Sequence, residues 1–378
     1  MMSDFIPVNE PLLDGNEKKY LAECIDTGWI SSEGPFVKRF EEEFAARVGR
    51  KHGIAITNGT AAIDAAVEAL GIGPGDEVIL PTFTIISCVM QIVRSGATPV
   101  LVDSDPLTWN IDVTQIEAKI TPRTKAIMVV HIYGLPVDMD PVLDLCQRYG
   151  LKLIEDAAEM IGQTYRGKPC GSFGDISTVS FYPNKHITTG EGGMILTDDD
   201  DLAEQCRELR NLCFKPGKRF VHERLGWNLR MTNLQAALGV AQLEQLDAFL
   251  EKKRRIGRRY NEFLADLPGV QLPLVHTEYA ENIYWVYGLV LDDSVEFDAE
   301  EAMSRLAKLG VGCRPFFYPM HQQPVLRERG LFEGESYPVA EQMYQRGFYV
   351  PSGLALTEDQ LLRVADRSKK FLSDESLI

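Results

Sequence analysis

Short apolar runs alternate with helix-like segments from about residue 50 to residue 215. Ile54–Thr57 is strand-like and leads into a helical AAIDAAVEAL. Glu77–Leu80, Thr98–Val102, Ala126–Val130, Lys152–Glu155, Ser177–Phe181 and Met194–Thr197 continue the series. Several of these runs are continuously apolar, the pattern of strands covered on both faces. Strands interleaved with helices predict an α/β fold with a mostly parallel sheet. From Thr232 to Leu264 the apolar positions take an approximate 3.6-residue period, which predicts one long helix with the charges of Lys252–Arg255 on its solvated face.

Past that helix the pattern changes. Tyr284–Leu291 reads as a strand, Asp298–Leu309 as a helix and Val311–Phe317 as another strand. The run Thr357-Glu-Asp-Gln360 is a capping-box signature opening a last helix to about Leu372. Two domains are expected. A large α/β domain spans residues 1–240. The connecting helix and a smaller α+β domain span 241–378.

The chain has 378 residues, a length of two to three domains at ~150 residues each. With 45% hydrophobic and 25% charged residues it is globular in composition. Its 39 Lys and Arg against 55 Asp and Glu leave a net charge of −16, which argues against nucleic acid or an anionic membrane as partner. A small anionic substrate stays open, because it needs only a local cluster of donors. The seven cysteines include no C-x-x-C pair and the six histidines are scattered, so a reduced, cytoplasmic compartment and no metal site are expected. The N-terminus shows no secretory pattern, and the longest aliphatic runs fall far short of the ~20 residues of a membrane span.

Ligands of open α/β sheets gather at the carboxyl ends of the strands. Three such ends carry notable polar residues. Thr57-Asn58-Gly59-Thr60-Ala61 joins a strand to a helix, with N–H groups, a glycine and a hydroxyl suited to cupping a phosphate. Asp156 follows an apolar strand, where a buried carboxylate wants a cationic partner. Lys185 lies just past another buried strand, in a loop of small and polar residues. Singly, these read equally as a capped turn, a helix N-cap and a solvated loop charge. Together they form a complete site for pyridoxal 5′-phosphate: a cup for the phosphate, Asp156 for the pyridinium nitrogen, and Lys185 as the amine that condenses with the aldehyde. Ser180 offers a further hydroxyl to the phosphate. A nicotinamide enzyme fails on motif, because Gly71-Ile-Gly73-Pro-Gly75-Asp76 breaks G-x-G-x-x-G and precedes a strand.

These residues resemble the fold-type-I, pyridoxal-phosphate-dependent nucleotide-sugar aminotransferases of the DegT/StrS type over nearly the whole chain. The landmarks run in order from Gly28-Trp29-Ile30-Ser31-Ser32 through Asn58-Gly59-Thr60-Ala61 and His131-Ile-Tyr133-Gly134. Glu155-Asp156-Ala157-Ala158-Glu159, Ser180-Phe181 with Lys185, Gly190-Glu191-Gly192-Gly193 and Asn228-Leu-Arg230 follow. The resemblance implies Lys185 as the catalytic lysine, Asp156 as the pyridinium partner, and Gly59, Thr60, Ala61 and Ser180 around the phosphate. It places Glu159 beside the phenolic oxygen, where many relatives carry glutamine or histidine. It implies a homodimer with shared active sites, in which Asn228 reaches the neighbour's phosphate. Tyr318 and His321 match a segment that closes over the sugar, and Trp29, Ser31 and Ser32 match the N-terminal substrate contacts. Relatives usually stack an aromatic on the pyridine ring at the position of Ile85, so here either that aliphatic group or nearby Phe83 covers the ring. The basic stretch of Lys218 and Arg219, with Arg230, is expected to receive the diphosphate.

Within the family, FYPNKHITTGEGG, Glu159 and RPFFYPMH most resemble the branch that aminates C4 of GDP-4-keto-6-deoxymannose, with glutamate as donor and 2-oxoglutarate as product, for polysaccharide and O-antigen synthesis. UDP- or dTDP-linked keto sugars aminated at C3 or C4 are the alternative. Lys185 would serve as general base and acid in both half-reactions, with ping-pong kinetics. A sugar dehydratase would carry histidine in place of Lys185, and a silent cofactor-binding regulator would not need the intact Lys185–Asp156 pair.

Overall fold

The computed structural model describes residues 5–215, 217 and 220–371. Lys218 and Arg219 therefore lie outside the described residues. Helices α1 (Glu17–Thr27) and α2 (Pro35–Val48) precede β1 (His52–Ile56). The chain then alternates α3 (Gly59–Ala69), β2 (Glu77–Pro81), α4 (Ile86–Arg94), β3 (Thr98–Val102), β4 (Thr124–Val130), α5 (Met139–Tyr149) and β5 (Lys152–Asp156). A small hairpin, β6 (Thr164–Tyr165) and β7 (Lys168–Pro169), leads to β8 (Ile176–Ser180), β9 (Gly193–Thr197) and α6 (Asp200–Arg210).

Seven strands form one sheet in the order β1-β9-β8-β5-β4-β2-β3. The ladders from β8 through β5, β4 and β2 to β3 are parallel, and β9 runs antiparallel to both of its neighbours. Alternate residues of the apolar runs divide between two cores, as strands with both faces covered require. Ile54, Ile56, Val78, Leu80 and Met128 join one cluster, and Ala55, Ile79, Ile127 and Val129 join the other. The small side chains Ala62, Ala65 and Ala66 of α3 are fully buried, which lets that helix sit close to the sheet.

The expected single helix from Thr232 to Leu264 is two: α7 (Asn233–Leu243) and α8 (Leu246–Leu264). Thr232 and Gln235 close a capping box at the start of α7. The chain turns at Glu244–Gln245, where side chains are drawn toward the N-terminal part of the chain. Gln242 donates to the Leu12 carbonyl (2.9 Å) and to Glu17 (2.7 Å), and Glu244 accepts from Asn16 and Tyr20. Leucines on both sides of the turn keep the apolar period running across the break, which hides it in the sequence. The charge run is not wholly solvated either. Lys253 is buried at 3% exposure, and its ammonium donates to the carbonyls of Trp285 (2.9 Å) and Ser352 (2.5 Å).

A second, antiparallel sheet follows, in the order β10-β11-β13-β12. Its parts are β10 (Val270–Gln271), β11 (Tyr287–Leu291), α9 (Ala299–Lys308), β12 (Arg314–Pro315), α10 (Pro324–Arg327), α11 (Pro338–Arg346), β13 (Gly347–Val350) and α12 (Glu358–Lys370). The expected capping box of Thr357 and Gln360 opens α12. The strand expected over Val311–Phe317 shrinks to two residues. Val311 instead bridges Ile6 from the N-terminus, and Pro315 has no N–H to extend the ladder. Ile6 thereby joins the core of this second sheet, with Ile256, Tyr260 and Leu264 of α8.

Candidate active site

The carboxyl ends of β1, β5 and β8 open onto one cavity of about 750 Å³. It is lined by Gly59, Thr60, Ala61, Ile85, Asp156, Glu159, Ser180 and Lys185, so four distant stretches of sequence meet there. Its size is that of a pocket for a small cofactor and part of a substrate.

The floor is the start of α3. Asn58 caps that helix, its side chain accepting the Ala61 N–H at 2.8 Å. Gly59 faces Ser180, and a Cβ at Gly59 would stand 2.8 Å from the Ser180 Cβ and 3.2 Å from its Oγ. Glycine is thus required for the helix end and the β8 hydroxyl to approach one another. N–H groups of a first helical turn beside a hydroxyl make an anion cradle.

Asp156 ends β5 and is nearly buried. Its Oδ1 accepts the Ala158 N–H (3.0 Å) and its Oδ2 faces the Cys88 thiol (3.4 Å). Burial raises its pKa, against the Ala158 amide, the thiol and the positive charge of Lys185. No guanidinium or ammonium bonds this carboxylate directly among the described residues, so it is poised for a cation brought in from outside. Asp156 is neighboured by Glu155, whose carboxylate accepts from the backbone of Gly171 (2.5 Å) and Phe173 (2.8 Å), from Ser177 (3.0 Å) and from His131 (3.1 Å). His131 Nδ1 accepts the Val137 N–H at 3.0 Å, which leaves the proton on Nε2 to donate to Glu155. This saturated knot fixes the ends of β4 and β5 side by side.

Glu159 accepts the Tyr133 N–H at 2.8 Å and lies 3.7 Å from Lys185 Nζ. Tyr133 takes a left-handed φ of 57°, a strained setting that aims its amide at the carboxylate. Burial pushes the Glu159 carboxyl up to about 7, although Lys185 and the Tyr133 amide pull it down. Burial also lowers the Lys185 pKa, opposed by Glu159 and Asp156. The lysine is thereby shifted toward the neutral amine that a base or nucleophile requires.

Other expected residues stand elsewhere. Phe83 is fully buried against the rings of Tyr133, Phe316 and Phe317, whereas Ile85 is 48% exposed at the cavity. Ile85, not Phe83, is therefore the side chain of that strand end that can cover a ligand. His321 is fully buried and committed on both sides, Nδ1 to the Thr82 hydroxyl (2.9 Å) and Nε2 to Glu341 (2.9 Å), so it does not reach the cavity. Tyr318 packs on the Tyr344 ring at 4.7 Å, and its neighbour Phe317 lines the cavity instead. Trp29, Ser31, Ser32, Asn228 and Arg230 do not line the cavity of their own chain. Ser32 and Arg230 border a separate depression with Arg207 and Arg210, and Asn228 accepts from the Arg230 guanidinium at 2.9 Å. Sequence reasoning missed Trp285 and Tyr349, which enter the cavity from the second sheet's side of the molecule. The only trace of Trp285 was an aromatic inside a predicted strand.

Comparison with known proteins agrees with this arrangement. The sequence profile of the DegT/DnrJ/EryC1/StrS aminotransferase family matches residues 11–369. The GDP-perosamine synthase of Caulobacter vibrioides is 46% identical over 366 residues, 96% of this chain and 98% of that protein. The GDP-perosamine synthase of Vibrio cholerae is 43% identical over 97% of this chain and 99% of its own. Among solved structures, the aminotransferase TlmJ from Streptoalloteichus hindustanus superposes with a TM-score of 0.90 at 30% identity, covering 97% of this chain and 99% of that one. A cavity that joins a helix-end anion cradle, a buried aspartate and a desolvated lysine is thus found in a chain that belongs, along nearly its whole length, to the DegT/DnrJ/EryC1/StrS aminotransferase family.

Proposed function

We propose that this protein transfers an amino group from glutamate to C4 of GDP-4-keto-6-deoxymannose, forming GDP-perosamine with pyridoxal 5′-phosphate as cofactor. The observation that carries this reading is the identity of 42–46% to three GDP-perosamine synthases over nearly the full chain.

The residues present fit the cofactor. The Gly59–Ser180 approach leaves a cradle that a single Cβ would fill, and Asp156 is a buried carboxylate short of a cation. Thr60, Ala61 and Ser180 would hold the phosphate, Asp156 the ring nitrogen, and Glu159 the phenolic oxygen. When bound, the cofactor supplies an aldehyde to capture amines and a ring that accepts electrons from the carbon being deprotonated. Lys185 would hold the aldehyde at rest. Its Nζ, once free, would act as the base at the amino acid's Cα and as the acid that returns the proton. The same amine would serve both roles when the keto sugar takes the place of 2-oxoglutarate. Phe317, Tyr349 and Ile85 narrow the cavity and keep water from the reacting atoms.

The working unit is a homodimer. Asn228, Arg230, Ser31, Ser32 and Trp29 do not line the cavity, and their stretches of chain carry exposed apolar side chains, Trp29 at 51% and Ile30 at 49% beside the serines and Leu225 at 93% before Asn228. Those surfaces would be covered by a second copy, which would bring the same five residues to the neighbouring cavity. The connecting helix and smaller domain expected over 241–378 are supported, among the described residues, by a second sheet of their own. Seven free cysteines accord with a reduced, cytoplasmic setting, and no helix among the described residues is long and apolar enough to cross a membrane.

The test is product identification by mass spectrometry and NMR, with GDP-, UDP- and dTDP-linked 4-keto and 3-keto sugars offered alongside glutamate. Amination of the GDP-linked 4-keto sugar in clear preference is the expected result. Preferred turnover of a UDP- or dTDP-linked sugar would overturn the substrate assignment, and no exchange with any amino donor would overturn transamination.

A further inference from the structure

Lys185 reaches the cavity with its ammonium over an indole. Nζ stands 3.9 Å from the centroid of the Trp285 ring, and Trp285 is only 5% exposed. One further bond holds that ring and another holds its backbone. Its Nε1–H donates to the carbonyl of Asn184 at 2.8 Å, one residue before the lysine. Its own carbonyl accepts the buried ammonium of Lys253 at 2.9 Å, and Lys253 also donates to the Ser352 carbonyl at 2.5 Å. Trp285 therefore ties the lysine loop to α8, and Lys253 ties α8 in turn to the segment after β13. A buried lysine bonded to carbonyls is costly, and its place in α8 is otherwise a position for an apolar side chain.

Two carboxylates also act on Lys185: Glu159 at 3.7 Å, and Asp156 at the end of β5, which in turn faces the Cys88 thiol of α4. Burial opposes a charge on this amine, while the carboxylates and the face of the indole favour one. In the proton transfer assigned to Lys185, a substrate C–H bond breaks, its electron pair stays on the carbon side, and a new N–H bond forms at Nζ. The product of that step is an ammonium, the species that an indole face stabilises.

We propose that Trp285 is a positioning residue for Lys185, its ring face stabilising the lysine ammonium formed during proton transfer while its N–H and carbonyl, the latter anchored by Lys253, fix the loop that carries the lysine. This rests on the reading of Lys185 as the reactive lysine.

Fluorinated tryptophans inserted at position 285 keep the shape and the N–H but withdraw charge from the ring face. The measurement is the pH dependence of Lys185 acylation, followed by peptide mass spectrometry. It uses the full-length enzyme holding the amine form of its cofactor, where the lysine is free. The midpoint should fall stepwise with fluorine number, by up to about one pH unit. A midpoint independent of fluorination, in protein that binds cofactor normally, overturns the stabilising role. Trp285→Phe keeps a ring but loses the bond to Asn184, and should lower kcat by about tenfold with both KM values within about twofold. Equal loss in kcat and rise in KM would overturn the positioning role. Lys185→Ala separates the two readings. Turnover in that variant removes the underlying assignment, whereas a dead Lys185→Ala with a fluorine-insensitive midpoint removes only the proposal for Trp285.

Discussion

Replacing Glu159 by glutamine should raise the protein's stability at pH 8 relative to its stability at pH 5, compared with the wild type. Glu159 is buried, with one oxygen on the Tyr133 amide and the other 3.7 Å from Lys185. Burial raises its carboxyl from 4.5 to about 7 in spite of both partners. An acid whose folded-state pKa is raised stabilises the fold below its unfolded pKa. That contribution is lost as pH rises through the folded value. At ~1.4 kcal/mol per pH unit, the rise from 4.5 to about 7 corresponds to a loss of ~3 kcal/mol between pH ~4.5 and pH ~7. Glutamine cannot ionise, and its side-chain oxygen can still accept the Tyr133 N–H. Urea titrations of the cofactor-free, full-length wild type and Glu159→Gln at pH 5 and pH 8 provide the assay. The pH-independent costs of the substitution cancel in the difference between the two pH values, and because part of the loss has already occurred at pH 5 that difference should favour the variant by ~2–3 kcal/mol at pH 8. A difference below ~1 kcal/mol would show that Glu159 ionises as an ordinary surface carboxylate does, and the account of its environment would fail.

Lys185→Ala should fold and retain the cofactor more weakly, because the cradle and Asp156 remain, while turnover falls by ~10³-fold or more; absorbance titration and steady-state assays check both halves. Gly59→Ala puts a Cβ 2.8 Å from that of Ser180, and the overpacking should weaken cofactor affinity by ~10-fold in equilibrium dialysis with little change in kcat at saturation. Mixing Lys185→Ala with Asn228→Ala subunits, each inactive alone, should restore about a quarter of wild-type activity if each cavity draws Asn228 from its neighbour. No recovery after subunit exchange, verified by mass spectrometry, would count against the shared site.

The sheet was legible in the sequence because burial on both faces leaves long apolar runs, and those runs sit within a residue or two of the observed strands. The phosphate cradle, Asp156 and Lys185 were legible for a related reason. Each comes shortly after such a run, and strands that run in the same direction within one sheet bring their carboxyl ends to one edge. Where the backbone is organised by side-chain bonds, pattern says little. The α7–α8 break depends on Gln242 and Glu244 reaching toward the N-terminal part of the chain, which no local period records. Lys253 looked like one solvated charge among four, and only tertiary packing reveals that its ammonium is spent on two buried carbonyls.

The residues that motif matching placed at the site divide along the same physical line. Gly59, Asp156, Glu159 and Lys185 follow strand ends of one sheet, so the ladder of backbone hydrogen bonds fixes their separation and they converge within a single chain. His321 sits in a segment with no ladder to hold it, and its place is set by Thr82 and Glu341, which turn it away from the cavity. Trp29, Asn228 and Arg230 belong to surface stretches whose apolar neighbours are left exposed on the isolated chain. A motif records that residues serve one reaction, but not that they serve it in the chain that carries them. For these three, their place is the better guide: side chains suited to a polar site stand in stretches with exposed apolar groups, as the proposed homodimer requires. The mixed-subunit experiment asks that question directly.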